Sequence, residues 1–406
     1  MTATSANPAQ DQQAWGPIFA MSLAAFALVA SEFMPVSLLT PIAADFHISE
    51  GQAGQAISIS GAFALLTSLF IASLAGRLDR KILLLSLTLL MVASGTVVAF
   101  APNYIIFMGG RALIGIAIGG FWSLSAATAM RLVADRHVPR ALAILNSGSA
   151  LASVLAAPLG SFLGAIIGWR WAFFCIVPVA AIAFFWKLFS LPAMKVESRP
   201  DSGNAFRLLA RPVVAMGIAA CALFFMGQYT LFTYLRPFLE KVTQVDVNAL
   251  SLMLLAMGVA GFIGTTLVGA LLNKHLYLTL TAIPVLMALI ALAFVFVGSS
   301  VTATAILLAL WGLIATAAPV GWWTWMARTL PDDAEAGGGL VVAMVQLAIM
   351  GGATIGGVLF DMHGYRATFG ASAAMLVAAA MLTMLTARSF QKKKVQYSDQ
   401  VPVGVQ

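Results

Sequence analysis

Glu32 is the one acidic residue that lies deep inside an apolar stretch of this chain, in the sequence VASEFMPVSLL. The other Asp and Glu residues lie in loops, in tails or at the ends of apolar runs. A carboxylate in hydrocarbon is costly unless it faces water, finds a partner or takes up a proton. Its position therefore predicts a proton-binding group. The alternative is a neutral carboxylic acid that only joins helices by hydrogen bonds.

Arg111 is the basic residue with a comparable position, at the start of the sequence RALIGIAIGG. Counted from the outer ends of their apolar runs, Glu32 lies about 15 Å deep and Arg111 about 12 Å deep. Arg keeps its charge at physiological pH, whereas Glu can lose its charge by taking up a proton. We therefore expect Glu32 to carry the proton and Arg111 to be a fixed positive charge coupled to it, directly or through water. A structural charge that serves helix packing is the alternative for Arg111.

Apolar runs of about 20 residues, each long enough to cross a bilayer as a helix, recur twelve times. The chain of 406 residues is 61% hydrophobic and only 9% charged, which no soluble core accommodates. The pattern predicts an all-α integral membrane protein with twelve transmembrane helices in two six-helix, pseudo-symmetric halves. The predicted spans are 15–42, 52–75, 81–101, 103–130, 140–166, 171–191, 212–237, 249–272, 276–298, 301–327, 336–360 and 367–388.

The net charge of +7 is a matter of topology, because the basic residues are distributed unequally between the two sides. With the N-terminus inside, the cytoplasmic segments carry seventeen of the 22 Lys and Arg residues, and Lys187 is counted among them. Arg111 is then the basic residue left within a span. This asymmetry fixes the orientation by the positive-inside rule, with both termini cytoplasmic, and argues against nucleic-acid binding.

The chain divides into two halves that echo each other at an offset near 196 residues. Gly115 and Gly312 occupy matching places in spans 4 and 10, and Gly168 and Gly364 follow spans 5 and 11. The longest polar interruption separates the halves. The predicted parts are a tail at 1–14, six spans at 15–191, a cytoplasmic linker at 192–211, six spans at 212–390 and a tail at 391–406.

Three motifs resemble the drug:proton antiporters of the major facilitator superfamily: GRLDRK after span 2, RALIGIAIGG in span 4 and ALASVLAAPLGSFLG in span 5. The first lacks the usual glycine after Asp-Arg, and Ala157 replaces the glycine before a proline in the third. The resemblance implies a fold of two parallel six-helix repeats. It implies proton coupling for Arg111 and a conformational latch formed by Asp79, Arg80, Pro158 and Gly160. An ordinary positive-inside loop and plain tight packing are the alternatives for the latch residues.

A narrower resemblance concerns the transported solute. The strings EFMPVSLLTPIA, GGFWSLSAATAMRLV, FRLLARP, FTYLRPF and PVGWWTWMARTL look like the bacterial purine ribonucleoside efflux pump family. Arabinose and sugar efflux pumps share parts of them. The resemblance implies proton-coupled efflux of small polar aromatic solutes such as inosine, guanosine and their analogues, with drug resistance as a related activity. A broad drug or sugar exporter on the same fold stays the alternative.

Amides, hydroxyls and aromatic rings in the spans are the candidates for solute binding, because a nucleoside needs a stacking surface and paired donors and acceptors. The candidates are Phe121, Trp122, Ser125, Asn146, Ser149, Gln228, Tyr229, Thr233, Tyr234 and Gln346. Aromatic side chains in membrane helices also serve packing or face lipid. At the repeat offset, Gln228 corresponds to Glu32 and Leu308 takes the place of Arg111. Proton chemistry is therefore expected in the first half, leaving the second freer to bind the solute.

Several further expectations complete the prediction. We expect a monomer in the bacterial inner membrane that binds a small-molecule substrate, no nucleic acid and no cofactor other than the coupled proton. The four histidines share no ligand spacing, so a metal site is not predicted. An enzyme is not favoured, because no second acid, nucleophile–base pair or metal cluster lies within the spans. A receptor that binds a solute without moving it is the rival from another class.

Overall fold

The computed structural model describes residues 15–75, 78–194, 205–330 and 334–398, and in these ranges every long element is an α-helix. The predicted tail 1–14, half of the linker (195–204), the end of the second tail, and Gly76 and Arg77 of the loop motif lie outside the described residues. The helices are α1 Trp15–Phe46, α2 Glu50–Ala75, α3 Arg80–Ala99, α4 Tyr104–Arg131, α5 Val138–Ile167, α6 Trp169–Phe174, α7 Ile176–Ser190, α8 Pro212–Phe232, α9 Leu235–Phe238, α10 Val247–Val297, α11 Val301–Ala315, α12 Ala317–Thr329 and α13 Ala334–Ser398.

Ten helical segments in the described ranges are long and apolar enough to cross a membrane. Two of them contain a break in the helical backbone. His275 divides α10 with φ −139° and ψ 55°, and Gly364 divides α13 with φ 74° and ψ −176°. Counting the parts on either side of each break separately gives twelve apolar segments, and the predicted number of twelve spans stays a prediction. The all-α membrane class is confirmed.

The described chain divides into two compact units, and the boundaries of the predicted halves stay a prediction. Among the described residues, the first unit contains those within 15–42 and 59–194, and the second contains those within 43–58 and 205–398. The segment 43–58 joins the second unit because polar contacts bind it there. Asp361 accepts hydrogen bonds from the Ser49 hydroxyl at 2.5 Å and the Gly51 amide at 3.0 Å, and Lys241 forms an ion pair with Glu50. A carboxylate suits this place, since the first amides of α2 have no partner within their own helix.

Glycines bring pairs of helices into contact at equivalent positions of the two units. At each of four glycines, an added Cβ would lie closer to a backbone carbonyl oxygen of a neighbouring helix than any real Cβ does. The contacts are Gly115 with Ser60, Gly312 with Met257, Gly148 with Ser22 and Gly352 with Met226. The second contact repeats the first 197 residues later, and the fourth repeats the third 204 residues later. Small residues allow such close approach in membrane proteins. The internal repeat of the sequence therefore corresponds to the same glycine-mediated helix contacts in both units.

Two further glycines break the helical path at matching places. Gly168 has φ 84° between α5 and α6, and Gly364 has φ 74° within α13. Glycine adopts positive φ without the steric cost that a Cβ brings. The chain therefore turns from one helix to the next at the same position in both repeats.

We expect Gly148→Ala and Gly352→Ala each to lower stability by about 1–3 kcal/mol, because the new methyl group meets backbone that cannot rotate away. Thermal unfolding of the purified protein measures the effect. Gly109→Ala is the matched control in α4, since nothing lies within 4 Å of its added Cβ. That change should be neutral or stabilising by roughly 0.5–1 kcal/mol. Equal melting temperatures for all three variants would contradict the packing argument.

Candidate functional site

Arg111 is fully buried in the first unit and bridges three helices. Its Nη1 atom donates to the carbonyl oxygen of Ser31 in α1 at 2.8 Å, and its Nη2 atom donates to the hydroxyl of Ser60 in α2 at 3.3 Å. Pro35 lies inside α1 and has no amide hydrogen for the carbonyl four residues earlier, which is that of Ser31. The guanidinium supplies the missing donor. The sequence of α1 thus creates the acceptor that holds Arg111 in place.

Glu32 follows Ser31 directly, so the guanidinium of Arg111 is held beside the candidate proton carrier. The Glu32 residue is half-buried, and its carboxyl group interacts electrostatically with Arg111. No hydrogen bond of the Glu32 side chain is found in the described part of the chain. The predicted acid and base are therefore brought together within one unit, close enough for their charges to interact. Their role in proton coupling stays a prediction.

Lys187 corrects the sequence analysis, which counted it among the cytoplasmic basic residues and left Arg111 as the base within a span. Lys187 lies in α7, inside the membrane-crossing segment Trp169–Ser190, and is fully buried. Its ammonium group donates to the hydroxyl of Thr88 in α3 and lies 5.6 Å from the ring centroid of Phe121 in α4. The signal available in the sequence was the apolar run AFFWKLFS around Lys187. A lysine three residues before the end of a helix resembles a topological charge, and this explains the error.

The solute-binding candidates of the first unit have different surroundings. Phe121 is buried, and its ring meets the indole of the half-buried Trp122 edge to face, with the centroids 5.6 Å apart. Asn146 is exposed, and its Nδ2 atom donates to the Leu142 carbonyl of its own helix at 2.8 Å. Ser125 is buried without a hydrogen-bond partner for its hydroxyl. Trp122 thus offers the accessible ring surface of this group.

The predicted latch residues make contacts within the first unit. The Asp79 carboxylate accepts from the amides of Lys81 at 2.8 Å and Met194 at 2.9 Å, and the Arg80 amide donates to the Met194 carbonyl. Pro158 lies inside α5, and a Cβ added to Gly160 would meet Ser37 and Met34 of α1. Asp79 therefore caps α3 and fixes the segment after α7. Whether these contacts hold one access state stays a prediction.

Two buried amides stand out in the second unit. Gln228 of α8 and Gln346 of α13 each have a buried Oε1 atom with no hydrogen-bond partner. Met226 contacts Gly352 and Thr230 contacts Gly356, so α8 and this part of α13 run in the same direction. Gln346 is then offset from Gln228 by roughly 12 Å along the helices. A buried acceptor without a donor costs free energy that a bound hydrogen-bond donor would recover.

Tyr229 and Tyr234 serve packing in the structure. The Tyr234 side chain is fully buried, its hydroxyl donates to the Ala353 carbonyl at 2.7 Å, and its ring stacks on Phe360. Tyr229 is 7% exposed and meets Phe232 edge to face. A phenol hydroxyl that already forms a hydrogen bond is less available to a solute than an amide oxygen without a partner. Both tyrosines stay candidates, but their observed contacts join helices.

Two hydroxyl groups of the second unit extend the set of buried polar atoms without a partner. Thr233 was a candidate from the sequence, whereas Ser251 of α10 was not. Ser251 was missed because a serine near the start of an apolar span carries no signal of its own. The described partnerless polar atoms of this unit are all uncharged.

Comparison with known proteins supports the fold. Residues 21–338 match the Major Facilitator Superfamily. The chain is 60% identical over 387 residues to the transcription regulatory protein OpdE of Pseudomonas aeruginosa, covering 94% of this chain and 96% of that protein. It is 39% identical over 374 residues to the purine ribonucleoside efflux pump NepI of Salmonella paratyphi B, covering 92% and 94%.

A solved structure shows the same fold. A bacterial homolog of the human lysosomal transporter Spinster matches with a TM-score of 0.76 at 18% identity, over 94% of this chain and 98% of that one. The match extends over nearly the whole length of both chains. The chain therefore belongs to the Major Facilitator Superfamily, a family of membrane transporters rather than enzymes.

Proposed function

We propose that this transporter exports small polar aromatic solutes, purine ribonucleosides above all, in exchange for protons. The observation that carries the proton coupling is the placement of Glu32 beside the buried Arg111 in a membrane helix. The 39% identity to a purine ribonucleoside efflux pump supports the solute. The protein acts as a monomer in the bacterial inner membrane with both termini in the cytoplasm, and the proton is its only coupling partner.

Proton binding changes the charge balance of the first unit. When Glu32 is ionised, its negative charge offsets the positive charge of Arg111. When Glu32 takes up a proton, the buried guanidinium charge has lost its counter-charge. Burial of an uncompensated charge is costly, so the two protonation states favour different exposure of the pair to water. This difference links proton uptake and release to alternation between access states.

The second unit supplies hydrogen-bond acceptors for the solute. The amide oxygens of Gln228 and Gln346 accept hydrogen bonds, and purine N–H groups and ribose hydroxyls donate them. A bound nucleoside would satisfy acceptors that otherwise stay unpaired. An apolar drug offers no such donors, and this distinguishes the proposal from a broad drug exporter.

Proteoliposomes with an imposed pH gradient test the proposal. Labelled inosine should move against its gradient, whereas chloramphenicol and arabinose should move much less. Equal movement of all three would favour the broad drug or sugar exporter. An inosine transport rate that does not depend on the pH gradient would contradict proton coupling.

A second candidate function is regulatory, because the relative at 60% identity is named a transcription regulatory protein. A membrane protein of this kind would bind a solute and change state without moving it. The same proteoliposomes separate the two functions. Saturable inosine binding without net flux would favour the regulatory role, and sustained uphill flux would favour export.

Glu32→Gln should abolish transport driven by the pH gradient and leave inosine binding near the parental level, because the amide keeps the shape but cannot take up a proton. Flux and binding are measured on the same preparation. Glu32→Asp is the matched variant that keeps an acid and should retain part of the flux. Gln228→Glu in the Glu32→Gln background should not restore it. Normal uphill export of inosine by Glu32→Gln would show that Glu32 is not the proton carrier.

Arg111→Ala should reduce transport by roughly 10- to 150-fold, since it removes a charged donor from the Ser31 carbonyl and the counter-charge of Glu32. Arg111→Lys keeps the charge but not the forked geometry, and should recover part of the activity. The pH profile of transport is the decisive measurement. A purely structural arginine would lower stability in both variants and leave the shape of the profile unchanged.

Gln228→Ala and Gln346→Ala should each weaken inosine binding by roughly 5- to 150-fold, the cost of removing one buried hydrogen-bond partner. Binding of an apolar aromatic drug, which donates no hydrogen bond, should change little. Asn146→Ala is the comparison within the predicted set, and its effect should be smaller because its amide is exposed and bonded to its own helix. Parental inosine affinity in both glutamine variants would remove the residue-level support for a purine substrate.

A further inference from the structure

Lys187 is a buried basic residue that the proposed mechanism does not use. The residue is fully buried, and its ammonium group donates to the Thr88 hydroxyl. The Thr88 hydroxyl in turn donates to the Leu84 carbonyl at 2.7 Å. An ammonium group has three hydrogens to donate, and Thr88 accepts one of them. Lys187 therefore keeps unused donor capacity, and a positive charge on it would lie inside the first unit.

The described carboxylates of the first unit do not compensate this charge. Glu32 interacts with Arg111, and Asp79 accepts backbone hydrogen bonds from Lys81 and Met194. No ion pair of Lys187 occurs among the residues that the structure describes. A methionine would fill the same space without the cost of burying a charge. A role in helix packing alone therefore does not account for a lysine here.

The charge lies close to the ring surface proposed for solute binding. The ammonium nitrogen is 5.6 Å from the Phe121 centroid, and Phe121 meets Trp122 edge to face with 5.6 Å between centroids. The accessible indole of Trp122 is thus one ring beyond Phe121. A solute stacked on Trp122 would lie on the order of 10 Å from the Lys187 nitrogen.

We propose that Lys187 is a charge filter for substrates: it disfavours cationic aromatic solutes at Trp122 and admits neutral and anionic ones. The inference rests on the proposed function, and it takes Trp122, a candidate from the sequence, as a solute-binding residue. Two like charges about 10 Å apart at an effective dielectric constant near 20 repel enough to weaken binding by roughly tenfold. While Glu32 is ionised, Arg111 adds little, because the carboxylate offsets its charge.

A matched pair of nucleosides tests the filter in proteoliposomes of the full-length protein. Nicotinamide riboside carries a permanent positive charge on its ring, and its dihydro form is neutral. The parent protein should move inosine and the dihydro form, and should bind the cationic form about tenfold more weakly. Lys187→Met should bring the two nicotinamide forms to within roughly twofold, and Lys187→Arg should keep the discrimination.

Thr88→Val is the control for structure. It removes the hydrogen bond of the ammonium group but keeps the charge, so discrimination should persist even where stability falls. If Lys187→Met does not fold, Lys187→Gln takes its place. The comparison of the two nicotinamide forms in the parent protein tests the filter in either case. Equal binding of both nicotinamide forms by the parent, while inosine is exported, overturns the filter alone. Discrimination that survives the loss of the Lys187 charge also overturns it. A parent that neither binds nor moves inosine overturns the proposed function and the filter with it.

Discussion

The first unit depends on one backbone carbonyl that has lost its helical donor. Pro35 leaves the Ser31 oxygen of α1 unpaired, and an unpaired carbonyl inside a membrane helix is costly. Arg111 satisfies it from α4 and also bonds Ser60 of α2, so one side chain joins three helices. The same bond places a permanent positive charge next to Glu32. The helix defect and the charge chemistry therefore have a common origin in the short sequence from Ser31 to Pro35.

The two units share their packing but differ in their chemistry. Gly115 and Gly312 make the same close approach to a neighbouring helix, and Gly168 and Gly364 make the same turn. The charges do not repeat, because Leu308 stands in the place of Arg111 and Gln228 in that of Glu32. Backbone packing constrains residue size at these points, whereas it leaves the polar side chains free to diverge. A repeated scaffold can thus hold a titratable pair in one unit and neutral amides in the other.

Much of this arrangement could be predicted from the sequence, and the exceptions have physical reasons. Span lengths, the glycine repeat and the matching depths of Glu32 and Arg111 follow from helix geometry and from the cost of charge in hydrocarbon. The burial of Lys187 and the bonded hydroxyl of Tyr234 did not follow, because a helix that is apolar all round does not reveal which neighbour each face meets. The attachment of 43–58 to the second unit depends on Asp361, more than 300 residues away, and no local pattern predicts such a pairing.

The two units contain different kinds of buried polar atoms, and this difference determines which ligands change the free energy of each unit. The first unit holds ionisable groups, Glu32, Arg111 and Lys187, so its free energy responds to protons and to the charge of a solute. The partnerless buried atoms described in the second unit are uncharged acceptors and hydroxyls, and they respond to hydrogen-bond donors instead. Under the proposed function, a proton changes the charge of one unit while a nucleoside changes the hydrogen bonding of the other. Their linkage must then run through the free energies of the access states, since each ligand shifts an equilibrium only by its different affinity for those states.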